Sequence, residues 1–125
     1  MKTCVIAALV AVCALLSACQ TTPALYYWGS YEDQLYNMYN KPGNAPPELQ
    51  IDQLSNDIER AENSGKKIAP GVHAHLGLMY ATVGNMAAAE AAFTNEKRLY
   101  PESATLLDGL LQRAYDAKRK NGGKL

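Results

Sequence analysis

Between His73 and Pro101 the residue types recur at helical spacing in two runs that turn at Gly84, and small residues stand where those runs cross. Leu76, Gly77 and Tyr80 belong to the first run, Ala89 and Phe93 to the second. Gly77 and Ala89 let two helix backbones approach closely, while Leu76, Tyr80 and Phe93 fill the space between them. Pro101 closes the unit, because proline has no N–H with which to continue a helix. Such a pattern commits this stretch to an antiparallel helical hairpin, and the rest of the chain is punctuated to match. Trp28, Tyr31, Leu35, Met38 and Tyr39 mark one face of a first helix that Lys41-Pro42-Gly43-Asn44 stops. Pro46-Pro47 opens a second, reaching about Asn63, with Leu49, Leu54, Ile58 and Ala61 buried and Asp52, Asp57, Glu59 and Glu62 solvated. Pro70 starts a third helix that ends near Gly84, and Met86 a fourth that ends at Tyr100. A fifth runs from Ala104 to Lys118, capped by Ser103, with Leu107, Leu110, Leu111 and Ala114 facing back. No alternating β-branched run follows the first eighteen residues, so the expectation is an all-α fold of about five helices. The domain is expected over residues 26–120, with a flexible tail at 121–125.

The start of the chain has a different character. Residues 1–18 carry one charge, Lys2, and an unbroken apolar run from Val5 to Leu16. A run of that length is a signal-peptide core, too short to span the ~30 Å hydrocarbon layer as a helix. It ends in Leu16-Ser17-Ala18-Cys19, which resembles the bacterial lipobox. That resemblance implies cleavage before Cys19, a covalent lipid on its sulfur and a short tether over residues 19–25. Cys4, Cys13 and Cys19 are the only three cysteines, so no thiol or disulfide chemistry would remain beyond that point. Gln20 stands where aspartate signals inner-membrane retention, so the expected location is the periplasmic face of the outer membrane.

Residues 73–101 resemble a tetratricopeptide repeat, a helical hairpin of 34 residues. Leu76-Gly77, Tyr80, Gly84, Ala89, Phe93 and Pro101 fall in register with its pattern. His73 replaces the usual tryptophan, and Glu96 stands where a small residue is usual. The resemblance implies a concave binding face on the first helix of the pair, at Gly71, Ala74, Leu78, Ala81 and Thr82. This face is small and apolar, without the cationic and amide groups that clamp a peptide carboxylate, so burial of an apolar partner segment is expected. The lipobox, the Tyr27-Trp28-Gly29-Ser30-Tyr31-Glu32 segment with Leu35-Tyr36, and the repeat-like half together resemble a family of short Gram-negative lipoproteins described as a domain of unknown function. Its members are often encoded beside a lipoprotein resembling CsgG, the curli secretion channel, which implies a role in an outer-membrane assembly.

Chemistry is harder to find. With 12 basic and 12 acidic residues, the chain has no electrostatic footprint for nucleic acid. His73 and His75 lie two apart, about 200° around a helix, and cannot share a metal ion. Phosphate-binding and nucleophile-elbow motifs are absent, and pairs such as Asp57 and Glu59 read as solvated helix faces. No cofactor is expected beyond the lipid on Cys19. Six of the ten aromatic residues crowd into residues 26–39, as core or as an interface. The expected function is that of a noncatalytic adaptor or assembly factor for a CsgG-like secretion or envelope complex. Activation of peptidoglycan synthesis and a small envelope hydrolase are the alternatives. Self-association is also open, since an isolated repeat leaves faces uncovered.

Overall fold

The computed structural model describes residues 24–122. The signal-peptide reading, lipidation of Cys19 and the last three residues of the expected tail therefore lie outside the described residues. Five α-helices follow one another: α1 (Tyr31–Asn40), α2 (Pro47–Asn63), α3 (Val72–Thr82), α4 (Met86–Leu99) and α5 (Ala104–Gly122). Single 3-10 turns at Pro42–Asn44 and Pro101–Ser103 form where proline stops the preceding helix. The fold is all-α.

Gly77 behaves as its spacing requires. A Cβ built there would stand 2.5 Å from the Phe93 ring and 3.1 Å from the Ala89 carbonyl oxygen, so only glycine admits this approach of α3 to α4. Phe93 and Ala89 are buried in that contact, and burying a side chain such as Phe93 contributes about 1.5–3 kcal/mol. Residues buried on α3 include Val72, His73, His75, Leu76, Gly77 and Met79, nearly all round its axis. That is the pattern of a helix enclosed by neighbours, and α3 packs against α2, α4 and α5. Gly84, at φ +81°, turns the chain from α3 into α4. Asn85 then caps α4 by accepting from the Ala88 N–H at 3.2 Å.

Five local expectations are corrected. Leu49 is 43% exposed and stands outside the buried stripe of α2. A two-residue parallel pair joins β1 (Tyr26–Tyr27) to β2 (Lys67–Ile68), where no strand was expected. Pairs this short have no alternation to detect, and this one is held by the Ala69 N–H donating to the Tyr27 carbonyl at 3.0 Å. Trp28 lies before α1, stacked on Tyr31 with ring centroids 6.4 Å apart, so the apolar face of α1 is shorter than its aromatic spacing suggests. Ser103 does not cap α5; its hydroxyl donates backwards to the Tyr100 carbonyl at 2.7 Å. Finally, α5 continues through Asn121 and Gly122, two residues assigned above to a flexible tail.

Candidate functional site

An open groove of about 670 Å³ runs between the C-terminal half of α3 and the C-terminal half of α5. Leu78, Ala81 and Thr82 form one wall, and Leu110, Arg113, Ala114, Ala117 and Lys118 form the other, with Gly84 and Met86 at one end. Leu78 stays 40% exposed although it sits on the central helix, because α5 flanks it without covering it. The Thr82 hydroxyl is turned back onto its own helix, donating to the Leu78 carbonyl at 2.9 Å. The wall is thereby left mainly hydrocarbon.

The five residues of the anticipated concave face are divided by this arrangement. Leu78, Ala81 and Thr82 line the groove, while Gly71 and Ala74 are at the opposite end of α3, under different partners. There the Glu96 carboxylate, 2% exposed, accepts from the Gly71 N–H at 2.7 Å and the Ala74 N–H at 3.3 Å. These are amides that the first turn of a helix leaves unpaired, and a carboxylate also complements the positive end of the helix dipole. Glu96, the departure from the repeat pattern noted above, thus serves as a cap for α3 supplied from α4. Burial raises its pKa above 4.5, outweighing the stabilising backbone N–H groups of Gly71, Ala74 and His73. Gly71 itself has φ +92°, and a Cβ there would come within 3.0 Å of the Tyr31 hydroxyl.

Asp57 is also corrected. It is 3% exposed, not solvated, and it accepts from the Ser30 N–H at 2.8 Å and the Ser30 hydroxyl at 2.7 Å. Ser30 in turn accepts from Gln34 Nε2 at 2.8 Å, so a polar chain fastens the start of α1 to α2. Gly29, at φ +51°, is needed beside it, because a Cβ would collide with the Asp57 carboxyl group. Gln50 performs a comparable junction: it donates to the Ala45 carbonyl at 2.7 Å and pairs with His75 Nε2 at 2.9 Å. Since the Gln50 oxygen is the accepting atom, Nε2 of His75 carries the proton. Burial lowers the pKa of both His73 and His75 below 6.5. The Tyr31 ring stands edge-on to His75 at 5.8 Å, and burial raises the pKa of its phenol.

Glu96, Asp57, Gln50 and His75 Nε2 each join one segment to another, while His75 Nδ1 and the Gln34 side-chain oxygen are buried without a hydrogen-bond partner. Among the described residues no group of three or more histidines, cysteines or carboxylates is placed to hold a metal ion. No described helix is long and apolar enough to cross a membrane.

The family model described as a domain of unknown function, DUF4810, matches residues 25–110. The chain belongs to this family. No curated protein and no solved structure matches it. The DUF4810 match extends from just before β1 to Leu110 in α5, and so takes in Gly29, Asp57, Gly77, Phe93 and Glu96. It also reaches the α3 wall of the groove, whereas Arg113, Ala117 and Lys118 follow its last residue. Sequence reasoning missed the α5 wall, because Leu110 and Ala114 were read as facing the core. The available signal was Leu106, Leu110, Arg113 and Ala117 at i, i+4, i+7 and i+11, a second strip beside the buried Leu107.

Proposed function

We propose that this DUF4810 chain is a noncatalytic, lipid-anchored outer-membrane protein whose tetratricopeptide-like domain acts as an adaptor or assembly factor for a CsgG-like secretion or envelope complex. The observation that carries the reading is the open hydrocarbon groove between α3 and α5. Its shape and lining suit an apolar segment of another polypeptide, as in helix-in-groove recognition. The assignment of Glu96, Asp57 and His75 to joining segments supports a noncatalytic role, because acid–base chemistry requires such groups within reach of a substrate. Lipid on Cys19 would hold the domain at the periplasmic face, since two or more acyl chains anchor far more firmly than one.

The test is a lipid-preserving purification from the native envelope, comparing wild type with Cys19→Ser and Leu78→Asp. Wild type is expected to retain a CsgG-like lipoprotein identified by mass spectrometry. Cys19→Ser loses it through mislocalisation, and Leu78→Asp loses it while remaining in the membrane. Recovery of wild type without any such partner overturns the adaptor reading.

A further inference from the structure

The groove has a charge pattern as well as a shape. Arg113 and Lys118 stand on its α5 wall, and no carboxylate lines it. Neither cation takes part in an ion pair among the described residues, where the pairs are Lys97 with Asp108 and Arg119 with Asp116. Leu106, one turn before Leu110 on the same strip of α5, lies outside the groove's lining and is 62% exposed, a further apolar surface beside it. An occupant that fits must bring hydrocarbon or aromatic surface flanked by negative charge.

The same chain displays such a surface on α1. There Glu32, Tyr36 and Tyr39 recur at i, i+4 and i+7 and therefore share a face. Tyr36 is 59% exposed and Tyr39 79%, large aromatic surfaces left in water on a helix whose only buried residue is Gln34. Asp33 adjoins Glu32 in the first turn, and the last turn has no basic residue. Helix α1 packs on α2 and, through Tyr31, reaches Gly71 and His75 at the start of α3, whereas α5 packs on α4 and on α3, so the exposed face of α1 and the groove are separate surfaces. Two complementary surfaces on different helices of one molecule meet naturally between copies.

We propose that the groove between α3 and α5 receives the Glu32–Tyr36–Tyr39 face of α1 from a second copy of this chain. Tyr36 and Tyr39 lie against Leu78, Leu106 and Leu110 with their hydroxyls at the solvent edge, an arrangement suited to amphipathic rings. Glu32 and Asp33 face Arg113 and Lys118 at the rim, where charge sets orientation and encounter rate more than affinity. Because the contact joins different surfaces, it propagates head to tail and yields a ring, a reciprocal pair or a short filament. This inference rests on the groove being a protein-docking surface, and it names the first partner of that surface.

The test uses the full chain in detergent, with secreted Cys19→Ser as a second preparation that excludes association through lipid. Light scattering after size exclusion is expected to show concentration-dependent oligomers in both, weakening as salt shortens the range of the rim charges. The pair Glu32→Lys with Asp33→Lys and the pair Arg113→Glu with Lys118→Glu should each weaken association by roughly tenfold or more, with an unchanged thermal melt. Mixing the two charge-reversed proteins should restore it. Carbodiimide crosslinking of isotope-labelled with unlabelled wild type should join Lys118 to Glu32 or Asp33 between copies. A monomer in both preparations at every concentration overturns the proposal, as do oligomers indifferent to both charge reversals. Monomers that still retain a CsgG-like lipoprotein defeat this inference and leave the adaptor reading standing; oligomers without that partner do the reverse.

Discussion

The α3–α4 hairpin and the α1–α2 pair are both antiparallel helical joints, yet they are held by different forces. Between α3 and α4 the backbones approach over Gly77, and Phe93, Ala89 and Ala92 are buried in the contact. Between α1 and α2 the joint is polar: Asp57 grips Ser30, Ser30 grips Gln34, and α1 buries no apolar side chain fully. A net hydrogen bond contributes only about 0.5–1.5 kcal/mol, whereas each buried large side chain contributes more and is insensitive to small displacements. The hairpin is therefore the unit that specifies the core. The α1 joint positions a short helix that the core supports weakly, and it is expected to open first in local unfolding.

Phe93→Ala should break the comparison most severely. Removing the ring from a site that is 1% exposed is expected to cost about 3–5 kcal/mol in denaturant unfolding, because the lost burial is compounded by the cavity left behind. Gly77→Ala is expected to cost about 1–3 kcal/mol, since the new methyl meets the Phe93 ring and a backbone carbonyl. The double variant sharpens the argument. Once the ring is gone the methyl has space, so the two losses should fall short of additive; strict additivity would show that the ring does not set the helix approach.

The polar joint should respond differently. Asp57→Ala strands the Ser30 N–H and hydroxyl, at an expected cost of about 1–3 kcal/mol. The more telling readout is where the loss appears. Amide exchange should accelerate over Ser30–Asn40 while α3 and α4 keep their protection, and uniform acceleration across the chain would mean that the two joints form one cooperative unit.

This division also explains what the sequence made legible. Gly77, Tyr80, Gly84, Ala89 and Phe93 announced the hairpin because close packing demands particular sizes at particular spacings. The five helices followed from their breakers for the same reason. Asp57 and Glu96 were opaque, because a carboxylate on an amphipathic helix has the same appearance whether it meets water or a distant backbone N–H. Their partners, Ser30 and Gly71, lie 27 and 25 residues away, beyond any local pattern. The candidate groove was half visible for a related reason. Leu78, Ala81 and Thr82 came with the repeat register. On α5, however, the Leu106–Leu110–Arg113–Ala117 strip marks only a second face, and how far that helix tilts from α3 to leave the face open is not in its periodicity.

The smallest expected effect concerns how these buried groups titrate, and the signs oppose. His73 and His75 have pKa values lowered below 6.5 by burial. As pH falls below 6.5 the unfolded chain therefore takes up protons that the folded chain refuses. They make stability rise with pH up to about 6.5. Glu96, raised above 4.5 by burial, keeps its proton in the folded state after the unfolded chain has released it. Its contribution is present below about 4.5 and is lost as pH rises through the folded value. Between these limits the two effects partly cancel. Glu96→Gln should remove the falling component, so its unfolding free energy climbs more steeply over pH 4.5–6.5 than that of wild type, whatever its absolute stability. His75→Gln should climb less steeply. If Glu96→Gln leaves the slope unchanged, the N–H groups of Gly71 and Ala74 fully compensate the burial of the carboxylate, and the α3 cap is as insensitive to acid as the apolar packing beside it.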